Sequence, residues 1–321
     1  MKTDRIGRTT VDVTEISFGG SGIGNLFRKI EDEDAEAILA RAWERGIRYF
    51  DTAPHYGRGL SEQRLGRFLK AHERADYALS TKVGRLLSSG PALAEADGFI
   101  EPLPNAVRYD YSGDGIEAAF EQSCERLGTS RIDIVYVHDI GAYTHGEDNA
   151  RHMADLMGSG IDRLQKLKAA GRIDAFGLGV NENRVCIDIM AETEIDVILL
   201  AGRLTLLDRS AEDELVPLCR SKGVSLVLGG IFNSGILATG AVPGAHYDYG
   251  PAPDDIFARV GELERRAKAA GVSLPQAALR FALTHPLAAS ALIGTAKLNS
   301  LDRNLDAAEA SWPPAADALL E

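Results

Sequence analysis

The chain has 321 residues, 45% of them hydrophobic, enough for a large core that a barrel can accommodate in one domain, residues 1–321. Its 35 Lys and Arg against 47 Asp and Glu leave a formal charge of −12, which argues against nucleic acid and anionic membranes as partners. Cys124, Cys186 and Cys219 are far apart with no C-x-x-C, Met1-Lys-Thr-Asp-Arg is charged where a signal peptide is apolar, and no apolar run reaches about 18 residues, so a reduced cytoplasmic protein without structural zinc is expected.

In chain order, Arg5–Val13 sets turn residues Gly7-Arg8-Thr9 between short β-prone pieces, a hairpin expected to close a barrel floor. The first strand, Glu15–Gly19, precedes a helical stretch, Glu33–Arg45, with Ala35, Ile38, Leu39 and Ala42 on one face. Asp32 or Asp34 is available to cap that helix and Gly46 to end it. Strands Tyr49–Asp51 and Ala78–Lys82 follow, then a helix in Gly115–Leu127 through Ile116, Ala119, Phe120 and Leu127. Strands are expected again at Ile134–His138, Ala175–Gly179, Val197–Ala201, Ser225–Gly229 and Ala289–Ile293, with Gly171 and Gly271 ending intervening helices. Eight strands, each followed by a helix, describe an α/β fold, a closed (β/α)8 TIM barrel. The long connections Gly84–Ser112, Ile140–Gly158 and Ile231–Pro253 all follow strands and so belong to the carboxyl-end face, where barrels keep their active sites. The Ala/Pro-rich end near Trp312–Ala316 is expected to pack outside the barrel.

The chemistry concentrates at three strand ends. Tyr49-Phe-Asp-Thr-Ala-Pro-His-Tyr-Gly57 ends a strand at Asp51 and turns through Pro54, setting a carboxylate and the Tyr56 phenol on the active face. Leu79-Ser-Thr-Lys82 and Val135-Tyr-Val-His138-Asp139 end the next two strands. Singly these residues read as a cap, a solvated lysine or a satisfied histidine; jointly, converging on one barrel mouth, they point to catalysis. A phenol with a pKa of about 10 exchanges protons poorly near neutrality. A neighbouring ammonium is expected to lower that value, with Asp51 holding Lys82 in place and charged, so that Tyr56 serves as acid or base. His138 then orients the substrate oxygen for hydride transfer. The His and Cys residues show no metal-ligand spacing, and none is required.

Gly46-Ile-Arg-Tyr-Phe-Asp51-Thr-Ala-Pro-His-Tyr56-Gly, Ser80-Thr-Lys82 and Val137-His138-Asp139, with Arg126-Leu-Gly128 and Arg131-Ile-Asp133, resemble the aldo-keto reductase superfamily, and the resemblance runs from Gly7-Arg-Thr to the final helices. It implies a catalytic tetrad on Asp51, Tyr56, Lys82 and His138 and an NAD or NADP cofactor extended across the barrel mouth. It further implies a cofactor site of Gly20 and Asp51, of Asn181 at the nicotinamide carboxamide, and of a pyrophosphate turn through Phe232, Asn233, Ser234, Gly235 and Leu237. Gly294, Thr295, Lys297, Arg303 and Asn304 resemble the adenosine end. Val180 and Ala201 replace the usual serine and glutamine, and Gly229 stands where an aromatic ring commonly stacks, leaving Phe232 as its substitute. Gly294 and Ser300 stand where members preferring NADP often carry Lys and Arg, which tilts the choice toward NAD; Lys297 and Arg303 keep NADP open.

Pro54-His-Tyr-Gly, Leu60-Ser61-Glu62, Ser80-Thr-Lys-Val-Gly-Arg85-Leu-Leu, Ala201-Gly-Arg203 and Phe232-Asn-Ser-Gly-Ile-Leu237-Ala-Thr resemble one branch, the aldose 1-dehydrogenases of the fucose/threo-aldose type and pyridoxal 4-dehydrogenase. Both oxidise cyclic hemiacetals, which implies a small polar sugar or aldehyde substrate, an aldose leaving as its lactone. His55, Arg85, Asp139 and Tyr143 are expected to line its pocket, and the polar stretch Gly141–Asn149 suits such a molecule. The alternatives are a pyridoxal dehydrogenase or NADPH-dependent sugar/aldehyde reductase, and a non-catalytic nucleotide-binding barrel, which an intact tetrad disfavours.

Overall fold

The computed structural model describes residues 1–321. Eight parallel strands close on themselves: β1 (Ile16–Gly19), β2 (Tyr49–Asp51), β3 (Ala78–Val83), β4 (Ile134–His138), β5 (Ala175–Val180), β6 (Val197–Ala201), β7 (Ser225–Gly229) and β8 (Ala288–Gly294), the last pairing back onto β1. These are the eight runs expected from the sequence, and the fold is the (β/α)8 barrel. The strands are buried on both faces, which explains their nearly continuous apolar character.

The outer layer is α1 (Asp32–Glu44), α2 (Leu60–Leu69), α3 (Gly113–Leu127), α4 (Ile161–Ala169), α5 (Arg184–Glu192), α6 (Leu215–Lys222), α7 (Asp254–Ala269), α8 (Leu274–Thr284) and α9 (Leu298–Glu309). α1 buries Ala35, Ile38, Leu39 and Ala42, and α3 buries Ile116, Ala119, Phe120 and Leu127, the faces their periodicity marks. The cap of α1 differs from expectation. Glu31 is the N-cap and makes no side-chain cap bond, while Asp32 sits inside the first turn and accepts from Arg64 at 2.8 Å and Arg67 at 2.7 Å. Two fixed guanidinium donors compete better for that carboxylate than a backbone amide does, and Asp32 and Asp34 still complement the helix dipole.

The N-terminal hairpin, Thr3–Arg5 paired antiparallel with Asp12–Thr14, carries Ile6, Val11 and Val13 into an apolar cluster with Tyr49, Ile134, Tyr136 and Val197. This plugs the barrel floor, and the Gly7 amide donates to Ser225 Oγ at 2.8 Å. The carboxyl-end face holds the three long connections. Residues 84–112 form an antiparallel pair, Arg85–Ser89 with Asn105–Tyr109, and a smaller one, Glu95–Ala96 with Phe99–Ile100. Residues 140–158 are largely short helices rather than the loop expected for Gly141–Asn149. Residues 231–253 end in a hairpin, His246–Tyr247 with Gly250–Pro251. The C-terminal turn Pro314–Leu319 packs onto the outside through Ala316 and Leu319. All three cysteines are free and buried. No helix is long and apolar enough to cross a membrane.

Candidate active site

Strand register assembles the site. Asp51 of β2 pairs opposite Ser80 of β3, and Lys82 of β3 opposite Tyr136 of β4. Alternate strand residues point the same way, so Tyr49 and Asp51, Ser80 and Lys82, and Tyr136 and His138 form three inward pairs. Lys82 Nζ donates to Asp51 Oδ2 at 2.6 Å and to the Thr52 carbonyl at 2.8 Å, and Ser80 Oγ donates to Asp51 Oδ1 at 2.7 Å. Tyr56 stands on the turn after β2. Gly57 takes φ +63° there, and a Cβ on it would lie 2.5 Å from the Gly24 carbonyl, so this close turn needs glycine. Lys82 Nζ lies 4.8 Å from the Tyr56 ring centroid, and the His138 ring stands 6.0 Å from it and nearly perpendicular, at 86°. The four residues expected together are together.

Desolvation governs the electrostatics. Burial pushes the Asp51 carboxyl up, opposed by the charge and hydrogen bond of Lys82 and by the bond from Ser80. Burial also works against the Lys82 ammonium, but Asp51 and Tyr56 more than offset it and hold its pKa above the usual lysine value. The Tyr56 phenol is pushed up to about 12, by burial first, with Lys82 pulling the other way. The sequence argument expected a lowered phenol; in a dry site, one ammonium already bound to Asp51 does not outweigh the cost of a buried phenolate. Burial, then Arg85, Lys82 and His55, drive His138 well below its ordinary range, and His55 falls to about 3 from burial, then Arg85 and Arg58. Both imidazoles are neutral near pH 7.

Around this centre, Arg85 donates to Asp139 Oδ2, and the same oxygen lies 3.4 Å from His138 Nε2. Burial raises the Asp139 carboxyl against the pull of Arg85. Tyr111 anchors the end of β4 by donating to the His138 carbonyl at 2.7 Å. Phe99, from the connection after β3, stands 5.2 Å from the His55 ring and 6.1 Å from Tyr56, adding an apolar wall. His138 Nδ1, His55 Nδ1 and Arg85 Nε are buried without a partner in the chain. Tyr143 departs from expectation: it is 49% exposed and donates to Asp248 Oδ1 at 3.2 Å. Asp248 also accepts from Arg203 at 2.8 Å, so Tyr143 ties the connections after β4 and β7 together instead of joining the group around Tyr56.

The residues expected at the cofactor divide into two groups. Gly20 follows β1 with its amide donating to the Asp51 carbonyl at 2.8 Å, and half-exposed Asn181 follows β5 with Nδ2 donating to the Tyr249 hydroxyl at 3.0 Å. Ser234 is exposed and accepts from the Tyr249 amide at 3.0 Å, and Gly235 turns the chain with φ +97°. Asn233 and Leu237 turn their side chains into the protein. The Asn233 side chain is buried, accepting from Thr205 at 2.6 Å and donating to the Gly202 carbonyl at 3.1 Å, and Leu237 is wholly buried. Buried amides and apolar groups this near a turn are used to hold it. Phe232 is half-buried against the main apolar core.

Beyond Gly294 and Thr295, Lys297 and Arg303 line a cavity of about 550 Å³ between the starts of α1 and α9. Asn304 is half-exposed one position further along α9. Arg28, which carried no sequence signal, also lines the cavity, as does the carboxylate of Asp34; none of the three cations lies within ion-pair distance of a carboxylate, and Arg303 donates to Ser300 Oγ at 3.1 Å. Such a donor set suits the phosphate-bearing end of a dinucleotide. Sequence reasoning also passed over Tyr49, Ser80 and Tyr136, each two residues before an expected site residue on the same strand face.

A (β/α)8 barrel with a dry acid–base cluster at its carboxyl end is the architecture of a barrel enzyme. The Aldo/keto reductase family profile matches residues 15–315. The chain is 40% identical over 320 residues to pyridoxal 4-dehydrogenase of Microbacterium luteolum, covering 96% of this chain and 93% of that one. It is 36% identical over 308 residues to D-threo-aldose 1-dehydrogenase of Pseudomonas sp, covering 94% and 91%. Among solved structures, an aldo-keto reductase of Bacillus halodurans in its holo form superposes with a TM-score of 0.75 at 26% identity, covering 98% and 93%. The chain belongs to the aldo/keto reductase family and is an NAD(P)-dependent oxidoreductase.

Proposed function

We propose that this enzyme oxidises the anomeric carbon of a small cyclic hemiacetal, an aldose, to a lactone, with Tyr56 moving the proton. The observation that carries this is the buried Asp51–Lys82 pair beside Tyr56 and neutral His138, with the polar trio His55, Arg85 and Asp139 next to it. Relatives named for an aldose and for pyridoxal dehydrogenation support the substrate class.

A nicotinamide held there would accept the hydride in oxidation and supply it in reduction. The anomeric C–H bond breaks with its electron pair leaving as that hydride, and the hydroxyl proton passes to the Tyr56 phenolate, leaving the lactone carbonyl. Lys82 stabilises the phenolate, and Asp51 keeps Lys82 charged. His138, being neutral, orients the substrate oxygen by a hydrogen bond. In the reverse direction Tyr56 gives the proton as a phenol. Gly20, Asn181, the turn through Phe232, Asn233, Ser234, Gly235 and Leu237, and Gly294, Thr295, Lys297, Arg303 and Asn304 would hold the dinucleotide, Asn233 and Leu237 by shaping the turn. Tyr143 acts at the rim and His55, Arg85 and Asp139 at the substrate hydroxyls.

For the cofactor, Gly294 and Ser300 favour NAD. The unpaired Arg28, Lys297 and Arg303 support a second reading, in which a 2′-phosphate is accepted as well. A panel of fucose, galactose, arabinose and pyridoxal, each with NAD and NADP, tests both points. Reduced cofactor and lactone are expected with the aldoses; turnover of pyridoxal alone would overturn the aldose assignment.

A further inference from the structure

Deep to the reacting groups, the interior carries two phenols and a hydroxyl that the proposed chemistry does not use. Tyr49 OH lies 3.0 Å from Ser80 Oγ and 2.8 Å from Tyr136 OH, and Ser80 Oγ lies 2.7 Å from Asp51 Oδ1. Tyr49, Tyr136, Ser80 and Asp51 are all wholly buried. The donors in this chain can be assigned without seeing a hydrogen. An ionised carboxylate only accepts, so Ser80 donates to Asp51. Ser80 has then used its one proton and accepts from Tyr49, and Tyr49, its proton used in turn, accepts from Tyr136. Three O–H groups in series point at one carboxylate oxygen, an arrangement in which each bond polarises the next.

The other carboxylate oxygen faces Lys82. One ammonium proton goes to Asp51 Oδ2 and one to the Thr52 carbonyl, leaving the third for the Tyr56 side. We infer that Tyr136, Tyr49 and Ser80 form a hydroxyl relay that positions Asp51, draws its negative charge away from Tyr56 and so leaves the Lys82 charge to act on the phenol. The register built this arrangement: Tyr136 stands opposite Lys82, and its ring centroid is 6.0 Å from Nζ. Both relay phenols are held above the usual tyrosine value, by burial first, so they remain protonated donors wherever the enzyme works.

The charged or titratable groups facing Asp51 and Tyr56 are Lys82 from β3, Tyr49 from β2, His55 from the turn after β2, Tyr136 and His138 from β4, and the Arg85–Asp139 pair. Of these, Lys82 and the relay act on Asp51 directly, and only the relay does so without also contacting Tyr56. These hydroxyls are positioning residues, and the inference rests on Tyr56 being the proton-transfer group.

The test is the profile of kcat for aldose oxidation from about pH 6 to about pH 11, in wild type, Ser80→Ala, Tyr136→Phe, Ser80→Thr and Tyr56→Phe; kcat reports the ternary complex, where the positive charge of an oxidised nicotinamide would bring the Tyr56 midpoint below its cofactor-free value and into that range. Thermal melts and direct cofactor titration by fluorescence quenching accompany each variant. Loss of the Ser80 bond should move the alkaline midpoint up by about one pH unit, and loss of the Tyr136 hydroxyl by about half as much, on the scale of one hydrogen bond to a buried charge. Plateau rates and cofactor affinity should stay within about threefold of wild type, and Ser80→Thr, which keeps the hydroxyl, should restore the midpoint. A lowered plateau with an unmoved midpoint in both Ser80→Ala and Tyr136→Phe would mean packing alone and overturn the relay. Wild-type turnover by Tyr56→Phe would overturn the assignment beneath it instead.

Discussion

Lys82 holds a full charge while almost wholly buried, and its bonds determine where that charge acts. Burial leaves Tyr56 a phenol near neutrality, pushed up to about 12. The sign of the pH dependence follows. Oxidation uses the phenolate, whose fraction grows tenfold per pH unit below the pKa, so kcat/KM for oxidation should climb through the alkaline range. Reduction uses the phenol and should stay level across neutrality, falling only at alkaline pH. His138 and His55 are neutral over the same range, so neither profile should inflect near the ordinary histidine value of about 6.5. Paired pH profiles in the two directions check this, and an inflection near neutrality would contradict it. Asp51, Tyr56, Lys82 and His138 were legible because each ends or follows a strand. Their electrostatics were not, because burial depends on neighbours from the whole barrel, and that is why the phenol's direction came out reversed.

At the level of elements, the strand ends are only as well placed as the turns that leave them. Gly84 leaves β3 with φ +100°, and a Cβ there would stand 2.3 Å from the Tyr111 ring. Tyr111 in turn fixes the His138 carbonyl, so one glycine couples the start of the Arg85–Ser89 strand to the end of β4. Gly84→Ala should destabilise the fold by about 1–3 kcal/mol through overpacking and backbone strain, and should raise the substrate KM as Arg85 and His138 shift. Thermal melts with steady-state kinetics check both effects; unchanged stability would show that the turn relaxes freely. Strands such as Ile134–His138 were readable from composition and length, and α1 and α3 from their periodicity. The connection after β3 was not, because Phe99 reaches His55 and Tyr56 through a small hairpin whose partners are remote in sequence. Tyr143 misled for the same reason: its hydroxyl partner, Asp248, lies over a hundred residues away.

For the whole molecule, a formal charge of −12 is set against a cavity lined by Arg28, Lys297 and Arg303, which have no carboxylate in ion-pair range although Asp34 shares the lining. A dianionic 2′-phosphate would profit from those cations and a ribose hydroxyl would not. Arg28→Ala should therefore weaken NADP by roughly tenfold while leaving NAD within about twofold, on the scale of one charge-assisted hydrogen bond. Equilibrium titration of both dinucleotides checks it, and equal losses for the two would remove Arg28 from phosphate recognition. The barrel itself was legible from eight strand signals, and Lys297 and Arg303 from the resemblance; Arg28 was not, since it precedes α1 while Lys297 precedes α9, and only barrel closure puts them on one cavity.

The central claim is that Tyr56 moves the proton while hydride leaves the anomeric carbon. Its most direct measurement is oxidation of a single cyclic aldose by wild type and Tyr56→Phe, following reduced cofactor and trapping the product before hydrolysis, with cofactor affinity titrated separately. Wild type should form lactone and reduced cofactor one for one, and Tyr56→Phe should lose about 100- to 10,000-fold in turnover while binding cofactor normally. Wild-type rates in that variant, or an open-chain acid formed without lactone, would contradict it.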